Sequence, residues 1–273
     1  MTIALHESAT DGSTGATGGV DGSGTAWAGP KVRERGVSPA TLHFLGIGAQ
    51  KAGTTWLYER LRNHPRLCFP AGKEVHFWDN HLRRGVEWYR RLFAVDDGKL
   101  HGEITPRYAI LSADKIRACH AAFPHLKIIY TLRNPIDRAW SAAKMELLNQ
   151  GRSVGQASPA FLLEMLMRHD SLARGDYETS IRNWLRVYPK ASLLVLRFED
   201  LVENPNTYLA RCLAHLGVDD EPATESSGLF EPVNQGPPGE MPAALRRAMR
   251  TVYYRKILSL ADYLDEDLGE WLI

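Results

Sequence analysis

The sequence predicts an α/β fold, a central parallel sheet with helices on both faces. Three observations carry this. Short apolar runs recur along the chain: "LHFLGIG" (42–48), "LKIIYTL" (126–132) and "SLLVLRFEDL" (192–201). Helical periods separate them, the pattern of parallel strands joined by crossovers. The first run also opens into a glycine-containing turn, "QKAGTTW", from which a helix starts.

Taken in order, residues 1–38 are rich in Gly, Ser and Thr with little to bury, so they are expected to form a disordered leader to one domain over 39–273. "LHFLGIG" is a buried strand, and a helix runs over Thr54–Asn63 until "NHP" ends it. After "LKIIYTL", Asn134-Pro135 opens a helix to about Asn149. Two helical patterns lie between Ser158 and Tyr188. A third strand over Ser192–Leu201 precedes a helix over Pro205–Leu216, and Met241–Ile273 reads as helical. The Gly/Pro-rich loop over 228–242 is long enough for a functional role.

Composition excludes some partners. With 33 basic and 32 acidic residues the formal charge is +1, which argues against a nucleic-acid face. No apolar run reaches the roughly 18–20 residues that span a bilayer. The N-terminus lacks the basic start and apolar stretch of a signal peptide. The three cysteines, Cys68, Cys119 and Cys212, show no disulfide framework and no metal-ligand spacing. The expectation is a soluble cytoplasmic chain with no metal and no membrane partner.

A strand feeding a glycine turn that opens a helix is an anion site, because free amides and the helix dipole face the ligand. Here Lys51 precedes Gly53, whereas a kinase P-loop places its lysine directly after the glycine. Gly53 admits the backbone close to a ligand, and Thr54 and Thr55 supply amides and hydroxyls. At the end of the second strand Arg133 offers a fork suited to a phosphate, and Ser141 adds a hydroxyl two helical turns on. Two such strand ends suit a ligand with two separate phosphate groups.

"QKAGTTW" and "RNPIDRAWS" together resemble the two binding signatures of sulfotransferases that use 3′-phosphoadenosine 5′-phosphosulfate (PAPS). "KEVHFWDNHLRRGVEWYRRLF" and "GEITPRYAI" are similar to the branch containing heparan sulfate 3-O-sulfotransferases and N-deacetylase/N-sulfotransferases, elements shared by bacterial small-molecule sulfotransferases. The resemblance spans Leu42 to Ile273 and implies a fold related to nucleotide kinases. It implies that Gln50, Lys51, Ala52, Gly53, Thr54 and Thr55 hold the 5′-phosphosulfate, and that Arg133 and Ser141 hold the 3′-phosphate. Trp56 stands where some relatives stack adenine; a core tryptophan is the other reading.

The same resemblance makes Glu74 of "KEVHFWD" the general base that deprotonates the acceptor. An extended strand there would put Glu74 and His76 on one side. His76 is a competing base, an orienting partner of Glu74, or a hydrogen-bonded structural histidine. Lys73, Asp79 and Glu103 are candidate contacts to a small-molecule or saccharide acceptor, such as a secondary metabolite; Glu103 reads equally as a turn cap. Two positions depart from the 3-O-sulfotransferase pattern. Ile104 stands where those enzymes carry a lysine, which disfavours a heparan-like acceptor. No Lys or Arg lies between Leu229 and Leu245, leaving Arg246 or Arg247 to close over the nucleotide. "HLRRGVEWYRRLF" reads as an amphipathic helix with solvated arginines. An ATP-using P-loop kinase and a nucleotide-binding regulator without turnover are the alternatives.

Overall fold

The computed structural model describes residues 41–218 and 238–273; the expected leader and most of the Gly/Pro-rich loop lie outside the described residues. The elements run β1 (Leu42–Gly48), α1 (Thr54–Leu61), β2 (Leu67–Cys68), α2 (Val86–Arg91), β3 (Leu100–Ile104), α3 (Ala113–Ala122), β4 (Lys127–Leu132), α4 (Pro135–Asn149), α5 (Pro159–Met167), α6 (His169–Ala173), α7 (Tyr177–Leu185), β5 (Leu193–Arg197), α8 (Phe198–Glu203), α9 (Pro205–Leu216) and α10 (Ala243–Leu264).

The strands pair in parallel in the order β2-β3-β1-β4-β5. β1 is central, and its residues Phe44–Gly48 are all buried. Alternate residues feed two cores. Leu45, Ile47, Ile128, Tyr130 and Leu132 face one that includes Ile116, Ile136, Ile181 and Met249, from α3, α4, α7 and α10. Phe44, Ile104, Ile129 and Leu196 face another, with Trp56, Leu57 and Leu61 of α1 and Tyr208, Cys212 and Leu213 of α9. Helices therefore cover both faces, as the alternation of strands and helices predicts.

Helix starts follow local chemistry. The Asn134 side chain accepts from the Ile136 amide with Pro135 at the first helical position, and Asn204 with Pro205 repeats the device for α9. Ser158 caps α5 in the same way.

Four expectations are corrected. The third apolar run stays extended only to Arg197; "FEDL" is the start of α8, whose acidic first turn suits a helix N-terminus. Three helices, not two, lie between Ser158 and Tyr188. β2 and β3 were not foreseen, being short and interrupted by polar residues. "KEVHFWD" is no strand: Glu74 and His76 sit at φ 62° and 54°, and a π turn follows over Phe77–His81. The arginine-rich stretch keeps the expected burial pattern, with Tyr89 and Phe93 buried and Arg83, Arg84, Arg90 and Arg91 exposed, but as a 3-10 turn over Leu82–Arg84 and the short α2, separated at Gly85. Among the described residues no helix is long and apolar enough to cross a membrane.

β3 crosses β1 closely because Gly102 lacks a side chain. A Cβ there would lie 2.0 Å from the ring of Phe44, which is itself buried against Phe69. Gly102→Ala is expected to destabilise the fold by about 1–3 kcal/mol through overpacking. A lower denaturant midpoint at unchanged m-value would show it.

Candidate active site

The loops at the carboxyl ends of β1, β3, β4 and β5 converge, where open α/β sheets bind ligands. After β1 the chain turns through Lys51, at φ 68°, and Gly53, at φ 78°. Gly53 is required twice over, since its backbone is left-handed and a Cβ would meet Leu201 at 2.5 Å. α1 then starts at Thr54, which is buried, with Thr55 and Gln50 half-buried beside the turn. Ala52 is fully buried, backbone included, and adds no surface to the loop.

Arg133 closes the turn from the end of β4. Its Nη1 donates to the Lys51 carbonyl at 2.7 Å, its guanidinium lies 4.5 Å over the Phe198 ring, and its own carbonyl accepts from Tyr177 Oη at 2.7 Å. Burial depresses the Arg133 pKa, with Asp137 and Glu199 opposing. Ser141 is half-buried on α4. Lys51 Nζ lies 3.5 Å from Met145 Sδ and has no carboxylate partner among the described residues. Burial lowers its pKa, and the charges of Arg133, Lys144 and Lys73 add to the effect. A half-buried ammonium among three further cations is electrostatically incomplete without an anion.

Opposite this turn lies the segment 73–79. Lys73 Nζ pairs with Glu74 Oε1, and Glu74 Oε2 lies 3.6 Å from His76 Nε2. His76 Nδ1 is 2.8 Å from Asp79 Oδ2. A carboxylate only accepts, so Nδ1 carries the proton in that bond and Nε2 is left towards Glu74. The result is a Glu–His–Asp chain. Glu74 and His76 meet as expected, but through left-handed backbone and not through strand alternation.

That backbone is held amide by amide. The Glu74 N–H donates to the Ile104 carbonyl, Val75 N–H to Glu103 Oε1, and His76 N–H to Thr105 Oγ1. The Phe77 and Trp78 amides both reach Tyr108 Oη, at 2.8 and 3.4 Å. Glu103 is the hub. Fully buried, it also accepts from Thr105 Oγ1, Tyr108 Oη and Tyr89 Oη. Burial raises its pKa, and those hydrogen bonds pull the other way.

Several expected contacts are thereby revised. Glu103 has no surface and its acceptor capacity is filled from within, so it does not meet an acceptor. Asp79, 6 % exposed, engages His76 and, at 3.6 Å, Arg107 Nε through Oδ2, while its Oδ1 is buried with no hydrogen-bond partner among the described residues. Glu74 is 43 % exposed. Trp56, 6 % exposed, packs edge-on to Tyr208 in the core and offers no stacking face. Ile104 points into the core beneath Gly46. Arg246, by contrast, reaches the site's margin, pairing with Asp137 at 2.9 Å.

Sequence reasoning missed a cavity of about 410 Å³ beside the turn. Its lining includes Gln50, the α4 alanines 139, 142 and 143 and Met145, the neighbour of Lys51, together with Arg168 and Arg174, which pair with Glu146 and Asp170. The small residues of α4 at helical spacing were its only signal.

Comparison with known proteins places this arrangement. The sulfotransferase domain family matches residues 43–227. Heparan sulfate glucosamine 3-O-sulfotransferase 6 from Homo sapiens is 32 % identical over 182 residues, covering 63 % of this chain and 51 % of that protein. The chain thus spans about half the length of such a relative. A crystal structure of a sulfotransferase from Alicyclobacillus acidocaldarius superposes with a TM-score of 0.67 at 26 % identity, over 85 % of this chain and 99 % of the other. A mouse sulfotransferase complexed with PAP, 16 % identical, shares the fold at a TM-score of 0.52 over 79 % of this chain and 84 % of its own.

Removing the hub should loosen the 74–78 segment. Glu103→Ala leaves the Val75 amide and two tyrosine hydroxyls without their acceptor, at a cost of about 1–3 kcal/mol. Hydrogen exchange is expected to accelerate at Val75 to Trp78 beyond the change at β1 amides; uniform acceleration would mean that Glu103 supports the fold and not the segment.

Proposed function

This chain belongs to the sulfotransferase domain family, and we propose that it transfers a sulfuryl group from PAPS to a hydroxyl of a small molecule or saccharide. The observation that carries this reading is the Lys51 ammonium at the strand ends, which has no carboxylate partner among the described residues and lies near Arg133, Lys144 and Lys73, with Glu74, His76 and Asp79 in line beside Lys73. The residues present suit the donor. The loop 50–55 offers backbone amides and the Lys51 ammonium to the phosphosulfate, and Arg133 with Ser141 offers a fork and a hydroxyl to the 3′-phosphate. Arg246, paired with Asp137 of α4, is the basic side chain assigned to closure over the nucleotide.

The bound donor supplies a sulfuryl group whose bond to the leaving phosphate oxygen breaks as the acceptor's oxygen–sulfur bond forms. Lys51 stabilises the charge that develops on the leaving oxygen. Glu74 takes the acceptor's proton. His76, its Nδ1 held by Asp79, presents Nε2 to Glu74, and a proton on that nitrogen orients Glu74 and steadies its charge. The cavity beside Lys51 is of the size that holds small ligands, which supports a small acceptor such as a secondary metabolite or a short saccharide.

Calorimetric titration with 3′,5′-adenosine bisphosphate, beside AMP and ATP, tests the donor. The bisphosphate is expected to bind well ahead of AMP, and a Mg²⁺-dependent preference for ATP would overturn the reading in favour of a kinase.

Two variants separate binding from chemistry. Glu74→Gln should keep bisphosphate affinity and lose about 10²–10⁴-fold in turnover with PAPS and an acceptor found by screening. Arg133→Ala should weaken bisphosphate binding about tenfold to a hundredfold. Equal loss of affinity in both would refute the division.

The depressed Lys51 pKa also fixes a pH dependence. The anion needs the ammonium, so affinity holds while Lys51 is protonated. It falls as pH rises through the lowered pKa, earlier than an ordinary lysine would dictate. Titrations across alkaline pH should show this limb in the native chain, displaced to higher pH in Lys51→Arg, whose guanidinium stays charged.

A further inference from the structure

Two residues along β3 from Glu103, a second polar cluster serves no part of the transfer site. Cys68 ends β2, His101 is its partner across the parallel pair, and Asp97 lies in the connection before β3. One donor atom from each lies within 4.8 Å of the other two.

The hydrogen bonds fix how these atoms point. His101 is buried, and its Nδ1 lies 2.9 Å from the Phe93 carbonyl, an acceptor, so Nδ1 carries a proton. On the neutral ring the Nε2 lone pair then faces Asp97 Oδ1 at 2.8 Å, an acceptor facing an acceptor, with the Cys68 sulfur alongside. The Cys68 thiol already hydrogen-bonds Asp97, so what the triplet lacks is a cation between Nε2 and Oδ1, either a proton on the ring or a metal ion that also displaces the thiol proton. A ring nitrogen fixed by a carbonyl bond on its far side is the usual outer support of a metal-ligating histidine. Asp97 is supported likewise, accepting from the Lys99 amide at 3.0 Å. His43, which accepts from the His101 amide at 3.0 Å, braces the strand and is not counted as a ligand.

We propose that Cys68, Asp97 and His101 form a metal site for Zn²⁺ or a similar borderline-soft divalent ion, with a solvent molecule completing four-fold coordination. Thiolate, imidazole and carboxylate together are a zinc donor set, and a hard ion such as Mg²⁺ would not choose sulfur. Asp97 is exposed and in a loop, so it can shift to admit the ion. The ion would tie the edge strand β2, β3 and the connection before β3 at one point, away from the sulfuryl-transfer loops. This departs from the sequence expectation of no metal ligands, because the ligands come from separate segments.

Titration of the full chain with Co²⁺ tests the site. A near-ultraviolet thiolate-to-cobalt band should saturate at a single equivalent and vanish on adding Zn²⁺. Cys68→Ala should abolish the band. Asp97→Asn, at an exposed position that leaves folding intact, should weaken Zn²⁺ binding by at least the roughly tenfold that loss of an outer-shell partner costs. No band in the native chain would make the triplet a protonated histidine between hydrogen-bond acceptors and overturn the proposal. A band that survives Cys68→Ala would overturn it too.

Discussion

The carboxylate of Glu103 is the constraint on which the candidate site depends. It sits without solvent at the end of a strand and takes donors from two tyrosines, a threonine and the backbone of the facing segment. A buried charge is tolerated only with this density of donors. Because one donor is the Val75 amide, satisfying the charge and shaping the 74–78 segment are one event. Glu74 and His76 are thereby held in left-handed backbone, which costs side-chain-bearing residues energy that their surroundings must offset. The neighbouring amides, caught by Ile104, Thr105 and Tyr108, supply that support.

Across the cleft the logic is reversed. Lys51 lies near other cations and has no carboxylate partner among the described residues, so that side is left electrostatically open where the hub is closed. The turn is nevertheless rigid. Arg133 bonds the Lys51 carbonyl, Tyr177 bonds the Arg133 carbonyl, and Gly53 fits against Leu201. Rigid donors aimed at an absent anion need no reorganisation when one arrives.

Much of this was legible in the chain. β1, β4, α4 and α9 followed from apolar runs and from Asn-Pro caps, and the binding turn from its glycine and lysine. What escaped depends on contacts between segments distant in sequence. β3 reads as polar because His101 and Glu103 interrupt it, although both are buried with partners. Trp56 next to a binding turn looks like a stacking platform until Tyr208 of α9 is seen against it. Asp79 and Glu103 look available because sequence shows their charge and hides their neighbours. The left-handed residues at 74 and 76 carry no glycine to announce them.

α4 serves two clients with different flanks. Arg133 and Ser141, assigned to the nucleotide, belong to its approach and one side, while alanines 139, 142 and 143 and Met145 wall the adjoining cavity. A helix moves as one body, but its flanks mutate separately. Ala139 and Ala143 are buried in the core, so enlarging them would overpack it, whereas Ala142, half-buried on the same stripe, is where a larger residue would trim the cavity. The shape of this cavity is thus set by one half-buried position on an anchored helix and not by a loop.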